Sequence, residues 1–291
     1  MALLTDIHNH GGGGYSFGGT VEDTLAAAAA HRATGTEAVV ASLVSLPLDE
    51  TDRAMGVVRE AMSEDASIEG IHLEGPFLAL ERKGAHAPEN LIDPTPDVVE
   101  RILAAGGGAI RQITMDPARD CALDAIERFV DAGVVVAVGH TEADAELTRK
   151  AFDRGATLLT HGFNAMKGIV GREIGPVGAA MDDERAHIEI IADGIHVDPA
   201  LIAAVFRAAP GRVVLVTDAM AAAAAPEGEY RLGKFDVTVS NGKAVLKGTD
   251  TIAGSTLTLT RAIEVCVEAG VPRDQAVAAA STVPRALLGL A

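Results

Sequence analysis

Short apolar runs recur along this chain, and many of them stop at a residue that can bind a metal or move a proton. LLTDI ends in His8-Asn9-His10, GIHL in Glu74, VVVAVG in His140 and TLLT in His161. IEIIA leads into Asp193 and His196, and VVLVT ends in Asp218. Runs without polar alternation are the pattern of parallel strands buried on both faces. Eight can be read in order, at 3–8, 37–43, 68–74, 109–115, 134–139, 157–161, 187–192 and 213–217.

Helical stretches separate most of these runs. Thr20 can cap a helix through the alanine block at 24–32, with Glu22 and Asp23 in its first turn and Gly35 at its end. Asp49, Asp120 and Thr141 open similar stretches, and Gly133 and Gly155 close two. Strands alternating with helices predict a parallel sheet, and eight units predict a closed (β/α)8 barrel of the TIM type, an α/β fold. A doubly wound open sheet would carry G-x-G-x-x-G after its first strand. The block Gly11 to Gly14 lacks that spacing and directly follows His-x-His. It reads as loop freedom beside a metal, with backbone N–H groups that can face substrate.

Past the eighth strand, Phe235, Val237 and Val239 alternate with polar residues, and Asn241-Gly242 offers a tight turn before Ala244 and Leu246. This predicts a β-hairpin insertion. Residues 256–269, 273–281 and 283–290 read as closing helices. No repeat, charge block or linker divides the chain, so residues 1–291 read as a single barrel domain.

Composition narrows the partners. Hydrophobic residues make up 48 % of the 291 positions but aromatic ones only 3 %, so Ala, Val, Leu and Ile must fill the core. A formal charge of −17 argues against nucleic acid, which needs a basic footprint. An anionic ligand would have to meet local Arg, His or backbone N–H groups. Cys121 and Cys266 belong to no ligand motif and read as buried free thiols in helical stretches. MALLTDIHNH has no basic n-region and no window is long and apolar enough to span a membrane, so the expected location is cytoplasmic.

His-x-His on an extended strand end turns both imidazoles to one side, where they can share a divalent cation. His140 and His161 would meet across the barrel mouth, and Glu74 could bind one metal or bridge two. Three protein ligands and an open position are the usual catalytic plan for zinc-like ions. Any one of these histidines alone reads as a satisfied core or loop residue; four at strand ends with a carboxylate do not. Asp218 could take a proton from metal-activated water and deliver it to a leaving group. Barrel hydrolases that bridge metals with a carboxylated lysine carry it at the end of the fourth strand. Here that strand ends Thr114-Met115-Asp116, which disfavours dihydroorotase-like and urease-like chemistry. Arg172, on a Gly-flanked loop, suits phosphate, and Asn164 can hold hydroxyl or phosphate oxygens. His31 and His187 read as incidental, and the role of His72 is open.

Taken together, these residues resemble the N-acetylglucosamine-6-phosphate deacetylases of the amidohydrolase superfamily. The blocks that carry the resemblance are HLEGPF at 72–77, KGAHAPE at 83–89, VGHTEA at 138–143, THGFNAM at 160–166, GRE at 171–173, ADGIHVD at 192–198, LVTDAM at 215–220 and IAGSTLT at 252–258. The resemblance implies a metal-dependent barrel that removes the N-acetyl group from N-acetylglucosamine 6-phosphate by metal-activated hydroxide. Glu74, His140 and His161 match its metal ligands, Asp218 its catalytic carboxylate, and His86 a histidine that polarises the acetamide carbonyl. Ala85, Asn164, Ala165, Arg172, Asp193, His196, Ile252, Ala253 and Gly254 match substrate-binding positions.

Some members have the His8/His10 pair and can hold a second ion, so the expected cofactor is one or two divalent metals, zinc first, with iron or manganese as alternatives. The resemblance also implies a homodimer in which the Arg172 loop can serve the neighbouring subunit's site. Members normally carry a small β-sandwich built from residues before the first strand and after the last helix; this sequence starts at the first strand and stops at PRALLGLA. The alternatives are a barrel amidohydrolase acting on another N-acyl compound, and a metal-containing sugar-phosphate binding protein without turnover.

Overall fold

In a computed structural model, which describes residues 3–290, all eight apolar runs are parallel strands. They are β1 (Thr5–Asn9), β2 (Ala38–Leu43), β3 (Ile68–Glu74), β4 (Ile110–Met115), β5 (Val135–Val138), β6 (Leu158–Leu159), β7 (His187–Ile191) and β8 (Val213–Val216). They stand side by side in chain order in one eight-stranded sheet. The seam between the last and first strands is closed just beyond β8. Asp218 N–H donates to the His8 carbonyl (2.8 Å) and His10 N–H to the Ala219 carbonyl (2.7 Å). Below them, the Thr217 hydroxyl donates to Asp6 Oδ2 (2.5 Å), so a buried carboxylate ties the two strands together.

Helices α1 (Val21–Ala33), α2 (Leu48–Glu64), α3 (Pro96–Gly106), α4 (Ala122–Asp131), α5 (Ala145–Asp153), α6 (Gly175–Asp182) and α7 (Pro199–Ala208) occupy the crossovers between strands. Thr20 caps α1 as expected, its Oγ1 accepting from Asp23 N–H at 3.1 Å. Thr141 does not open α5. Asp144 caps it by accepting from Leu147 N–H (2.8 Å), while Thr141 donates to Asp116 Oδ1 (2.5 Å) and fastens the loop after β5 to the end of β4. The chain closes on α8 (Leu259–Glu268), α9 (Arg273–Ala279) and α10 (Thr282–Leu287). No helix among the described residues is long and apolar enough to cross a membrane.

The main core lies between strands and helices and is mostly aliphatic, with Phe77, Phe129 and Phe152 among its largest buried side chains. The barrel interior is different. Asp6, His8, His72, Gln112, Thr114 and Glu189 are each fully buried on β1, β3, β4 and β7. Period 2 along a strand turns these to one face, and that face carries a polar layer beneath the mouth. Buried polar groups need partners, and here they find one another. His72 Nδ1 bonds Ser42 Oγ (2.9 Å), its Nε2 bonds Thr114 Oγ1 (2.8 Å), and Thr114 Oγ1 meets Thr160 Oγ1 (2.7 Å). His72 thereby becomes a connector of strands, and burial first, then its charged neighbours, holds its pKa well below the usual imidazole value.

The insertion after β8 is a three-stranded antiparallel sheet, β9 (Gly228–Leu232), β10 (Phe235–Ser240) and β11 (Lys243–Leu246), in which β10 and β11 are the expected hairpin and β9 was not expected. It packs Leu232, Val237, Val239, Ala244 and Leu246 onto Met220, Ala222 and Ala253 as a second small core at the mouth. The glycine block forms a two-residue ladder with Tyr15–Ser16. Its N–H groups at Gly13 and Gly14 donate to the carbonyls of Ala223 and Ala221 (2.7 Å each), so these two are taken up by the loop after Asp218 and do not face a ligand. His31 is not incidental either: buried in α1, its Nε2 donates to the Gly11 carbonyl (2.9 Å). Cys266 is buried in α8, with burial pushing its thiol up to about 12, whereas Cys121 is exposed on the turn before α4.

Phe129 is fully buried, its ring centroid 6.3 Å from that of Phe77. Phe129→Ala leaves a cavity between α4 and the sheet and is expected to lower stability by about 3–5 kcal/mol. Urea unfolding followed by circular dichroism measures this; an unchanged midpoint would remove the residue from the core.

Candidate metal centre

Six polar side chains, five at strand ends and His86 on the loop after β3, gather around Glu74, the last residue of β3. Its Oε1 lies 3.0 Å from His140 Nε2 and 3.1 Å from His161 Nε2, and those two nitrogens are 3.0 Å apart. Ligand atoms on a tetrahedron with bonds of about 2.0–2.1 Å stand about 3.3 Å apart, so this triangle is close to one face of a zinc-like site. The other oxygen, Oε2, lies 3.2 Å from His10 Nε2 and 3.1 Å from His86 Nε2. His8 Nε2 is 3.6 Å from both Glu74 Oε1 and Asp218 Oδ1, and His10 Nε2 is 3.3 Å from Asp218 Oδ1. Two groups of potential ligand atoms result, His8/His10/Glu74 and Glu74/His140/His161, sharing one carboxylate.

The outward ring nitrogens fix what the inward ones can do. His140 Nδ1 bonds the Arg82 carbonyl (2.7 Å), an acceptor only, so it carries the proton and Nε2 keeps its lone pair for a cation. His8 Nδ1 donates to Glu189 Oε2 (2.9 Å) with the same consequence. Its Nε2 is buried without a hydrogen-bond partner among the described residues, which fits a ligand nitrogen. His86 is arranged the other way round. Ser45 N–H donates to its Nδ1 (3.2 Å), leaving the proton on Nε2, so His86 offers a donor into the site.

The electrostatics suit a cation. Burial works against a charged His8, but Glu189, Asp218 and Glu74 overcome it and push its pKa up to about 10. His10 is likewise pushed up to about 9, against burial, by bonds to Asp218 and Glu74. Asp218 falls to about 2 because the His10 bond and the His8 charge outweigh its burial. Glu74 is held well below the usual carboxylate range in spite of its burial, by His86 and His140 above all. A divalent ion would meet the same negative potential.

The backbone at these strand ends is strained. His140 (φ 47°), His161 (φ 25°) and Asp218 (φ 47°) all adopt left-handed conformations that side-chain-bearing residues rarely take and that cluster at functional sites. Asp218 is clamped on both sides: its N–H donates to the His8 carbonyl, and its own carbonyl accepts from Ser255 N–H (2.7 Å). Gly254, at φ 64°, lets this happen, since a Cβ there would stand 3.0 Å from the Asp218 carbonyl oxygen.

A cavity of about 300 Å³ opens over the cluster. Of the expected substrate contacts, Ala85, Asn164, Ala165, His196, Ile252 and Gly254 line it. Three do not. Asp193 stands behind His196, accepting from its Nδ1 (2.6 Å) and its N–H (2.8 Å). Ala253 is buried, its N–H bonded to the Ala244 carbonyl (3.1 Å). Arg172 is exposed on the loop before α6, beside a different cavity that also holds Arg82, Arg149 and Lys167. Val44, Glu81, Arg82, Leu232 and Thr251 also line the site cavity and carried no signal in the sequence reading. Beyond it, through His10, Ala85, His86 and Leu232, lies a second chamber of about 630 Å³.

The amidohydrolase family model matches residues 2–291. The chain is 36 % identical over 290 residues to the N-acetylgalactosamine-6-phosphate deacetylase of Escherichia coli O157:H7, covering 98 % of this chain and 77 % of that protein. It is 34 % identical to the N-acetylglucosamine-6-phosphate deacetylase of Vibrio furnissii, over 100 % of this chain and 74 % of that one. Among solved structures, a mutant N-acetyl-D-glucosamine-6-phosphate deacetylase from Mycobacterium smegmatis in complex with N-acetyl-D-glucosamine 6-phosphate superposes with a TM-score of 0.96 at 45 % identity, covering 99 % of this chain and 77 % of that one. This chain belongs to the amidohydrolase family and, within it, to the N-acetylglucosamine-6-phosphate deacetylase group.

Proposed function

We propose that this chain hydrolyses the N-acetyl group of N-acetylglucosamine 6-phosphate, giving glucosamine 6-phosphate and acetate. The observation that carries the reading is Glu74 shared between two histidine pairs with Asp218 alongside, at 3.0–3.6 Å between polar atoms. Glu74, His140 and His161 would hold one divalent ion, and His8 and His10, with Glu74, a second. Zinc suits this donor set first, iron or manganese next. A bound ion of this kind polarises a carbonyl and brings the pKa of water near 7.

The side chains supply the rest of the chemistry. Asp218 accepts the proton of the attacking water and returns it to the departing amine nitrogen as the C–N bond breaks. Asp218 is ionised at neutral pH, the state a proton acceptor needs. His86 Nε2–H donates to the acetamide oxygen as negative charge grows there, the role its tautomer prepares it for. Asn164, Ala165, His196, Ile252 and Gly254 hold the sugar within the cavity. Asp193 orients His196 and leaves its Nε2 free for the ligand. Arg172 would meet the phosphate from a second copy of the chain in a homodimer, since it lines a different cavity of its own chain and its loop exposes Ile169 and Val170. The galacto epimer is a second candidate substrate, favoured by the 36 % identity to the Escherichia coli relative.

Acetate release from both 6-phosphates, with and without chelation, tests the reading. Turnover that chelator abolishes and added zinc restores is expected; a folded, metal-loaded chain that releases no acetate from either epimer contradicts it. Asp218→Asn removes the proton carrier and is expected to lower kcat by about 100- to 10,000-fold while substrate still binds. Retained turnover would take Asp218 out of the mechanism. Arg172→Ala is expected to raise KM for the 6-phosphate about tenfold or more, the loss of one charge-assisted contact. The unphosphorylated sugar should not be affected, and equal effects on both would free Arg172 of any phosphate role.

A further inference from the structure

One fully buried carboxylate outside the ligand set touches both ligand groups. Glu189, in the middle of β7, has 0 % of its surface exposed. A single oxygen, Oε2, accepts from His8 Nδ1 (2.9 Å) and from the backbone N–H of His161 (3.1 Å). The other oxygen, Oε1, accepts from Gln112 Nε2 at 2.7 Å. The ring it holds belongs to the His8/His10 pair, and the peptide it holds belongs to the Glu74/His140/His161 triad.

The geometry points to Glu189 as a positioning residue that links the two ion-binding groups, a step that rests on the metal reading above. On the His8 side it selects the tautomer: with Nδ1–H committed to Glu189, the lone pair is on Nε2, which faces Glu74 and Asp218 and has no other partner. A carboxylate behind a ligating imidazole also raises its basicity as a donor. On the His161 side it holds a backbone at φ 25°, a conformation that needs support from its surroundings to persist. Because both contacts fall on one oxygen, a displacement of that oxygen moves a ligand in each group.

Charge and geometry can be separated at this position. Gln112 Oε1 is buried without a partner, so a half-turn of the Gln112 amide lets it accept from the amide introduced by Glu189→Gln. That substitution keeps an oxygen for His8 and His161 and removes only the charge. Glu189→Leu removes both.

The test is calorimetric titration of the chelator-stripped full chain with zinc, with cobalt spectra as a second view of the ligand field and thermal unfolding as control. The wild type should take up two ions. Glu189→Gln should keep both and weaken the ion at His8/His10 by about tenfold or more, the range for loss of such outer partners. Glu189→Leu should lose that ion and also weaken the remaining one. In the His8→Ala background, Glu189→Leu should still weaken the ion at the triad, through loss of the His161 peptide contact alone. A residue that merely supports the fold would lower Tm and leave ion affinities within twofold and cobalt spectra unchanged, which overturns the inference; because Glu189→Gln preserves the contacts, the test stands even if Glu189→Leu fails to fold. A wild type that takes up one ion overturns the link between the groups. One that takes up none overturns the metal reading itself.

Discussion

A carboxylate buried with both oxygens crowded by imidazoles is unfavourable by several kcal/mol unless positive charge or donated protons meet it. At Glu74, four Nε2 atoms lie within 3.0–3.2 Å of its two oxygens and a fifth at 3.6 Å. The answer lies one bond further out. Arg82 and Glu189 fix the protons of His140 and His8 on Nδ1, so that two of the inward nitrogens offer lone pairs. Ser45 fixes the proton of His86 on Nε2, so that one offers a hydrogen. A set of side chains with the same composition is thereby divided into groups suited to a cation and a group suited to a carbonyl oxygen. The division depends on backbone atoms of Ser45 and Arg82 as much as on the histidines.

The same constraint explains the polar layer inside the barrel. An aliphatic interior would give more hydrophobic stabilisation, but it could not orient His8 or support His161. Gln112, Thr114, Thr160, His72 and Glu189 form a base in which nearly every donor finds an acceptor, and the strain at His140, His161 and Asp218 sits directly above it. Rigid strands hold the base, and strand ends in left-handed conformations aim the ligands. Hydrophobic stabilisation comes from the layer between sheet and helices, where no function is required.

Much of this was legible from the sequence because buried parallel strands leave a strong mark: eight apolar runs, each ending within two residues of the observed strand. The convergence of the His and acidic residues that terminate those runs was legible for the same reason. Glu189 was not, because it lies inside the run IEII and reads as a flaw in a strand. His31 sits in an alanine helix, and its partner is a backbone carbonyl 20 residues away, which no side-chain pattern records. Strand β9 was missed since GEYRL alternates exposed charges with half-buried residues and has no apolar run. Arg172 and Ala253, taken from local blocks, do not line the cavity of their own chain. Such blocks cannot show on which side of a loop a side chain emerges, nor that a neighbouring strand already occupies an amide.

The net charge of −17 and an anionic sugar phosphate are reconciled by distance. At physiological ionic strength, charges beyond about 8 Å are largely screened, so the ligand responds to the mouth and not to the whole surface. There Arg82 is neutralised by its pairing with Glu142, and His196 is committed through Nδ1 to Asp193, which leaves its Nε2 as a hydrogen-bonding group. Glu74 and Asp218 add negative charge at the floor. The side chains lining this cavity therefore leave no uncompensated cation for a dianion, and the adjoining chamber adds Arg53, Arg231 and Lys234. Arg172, exposed and without an ion pair among the described residues, lines a separate cavity with Arg149 and Lys167, so its charge is not spent on an acidic neighbour.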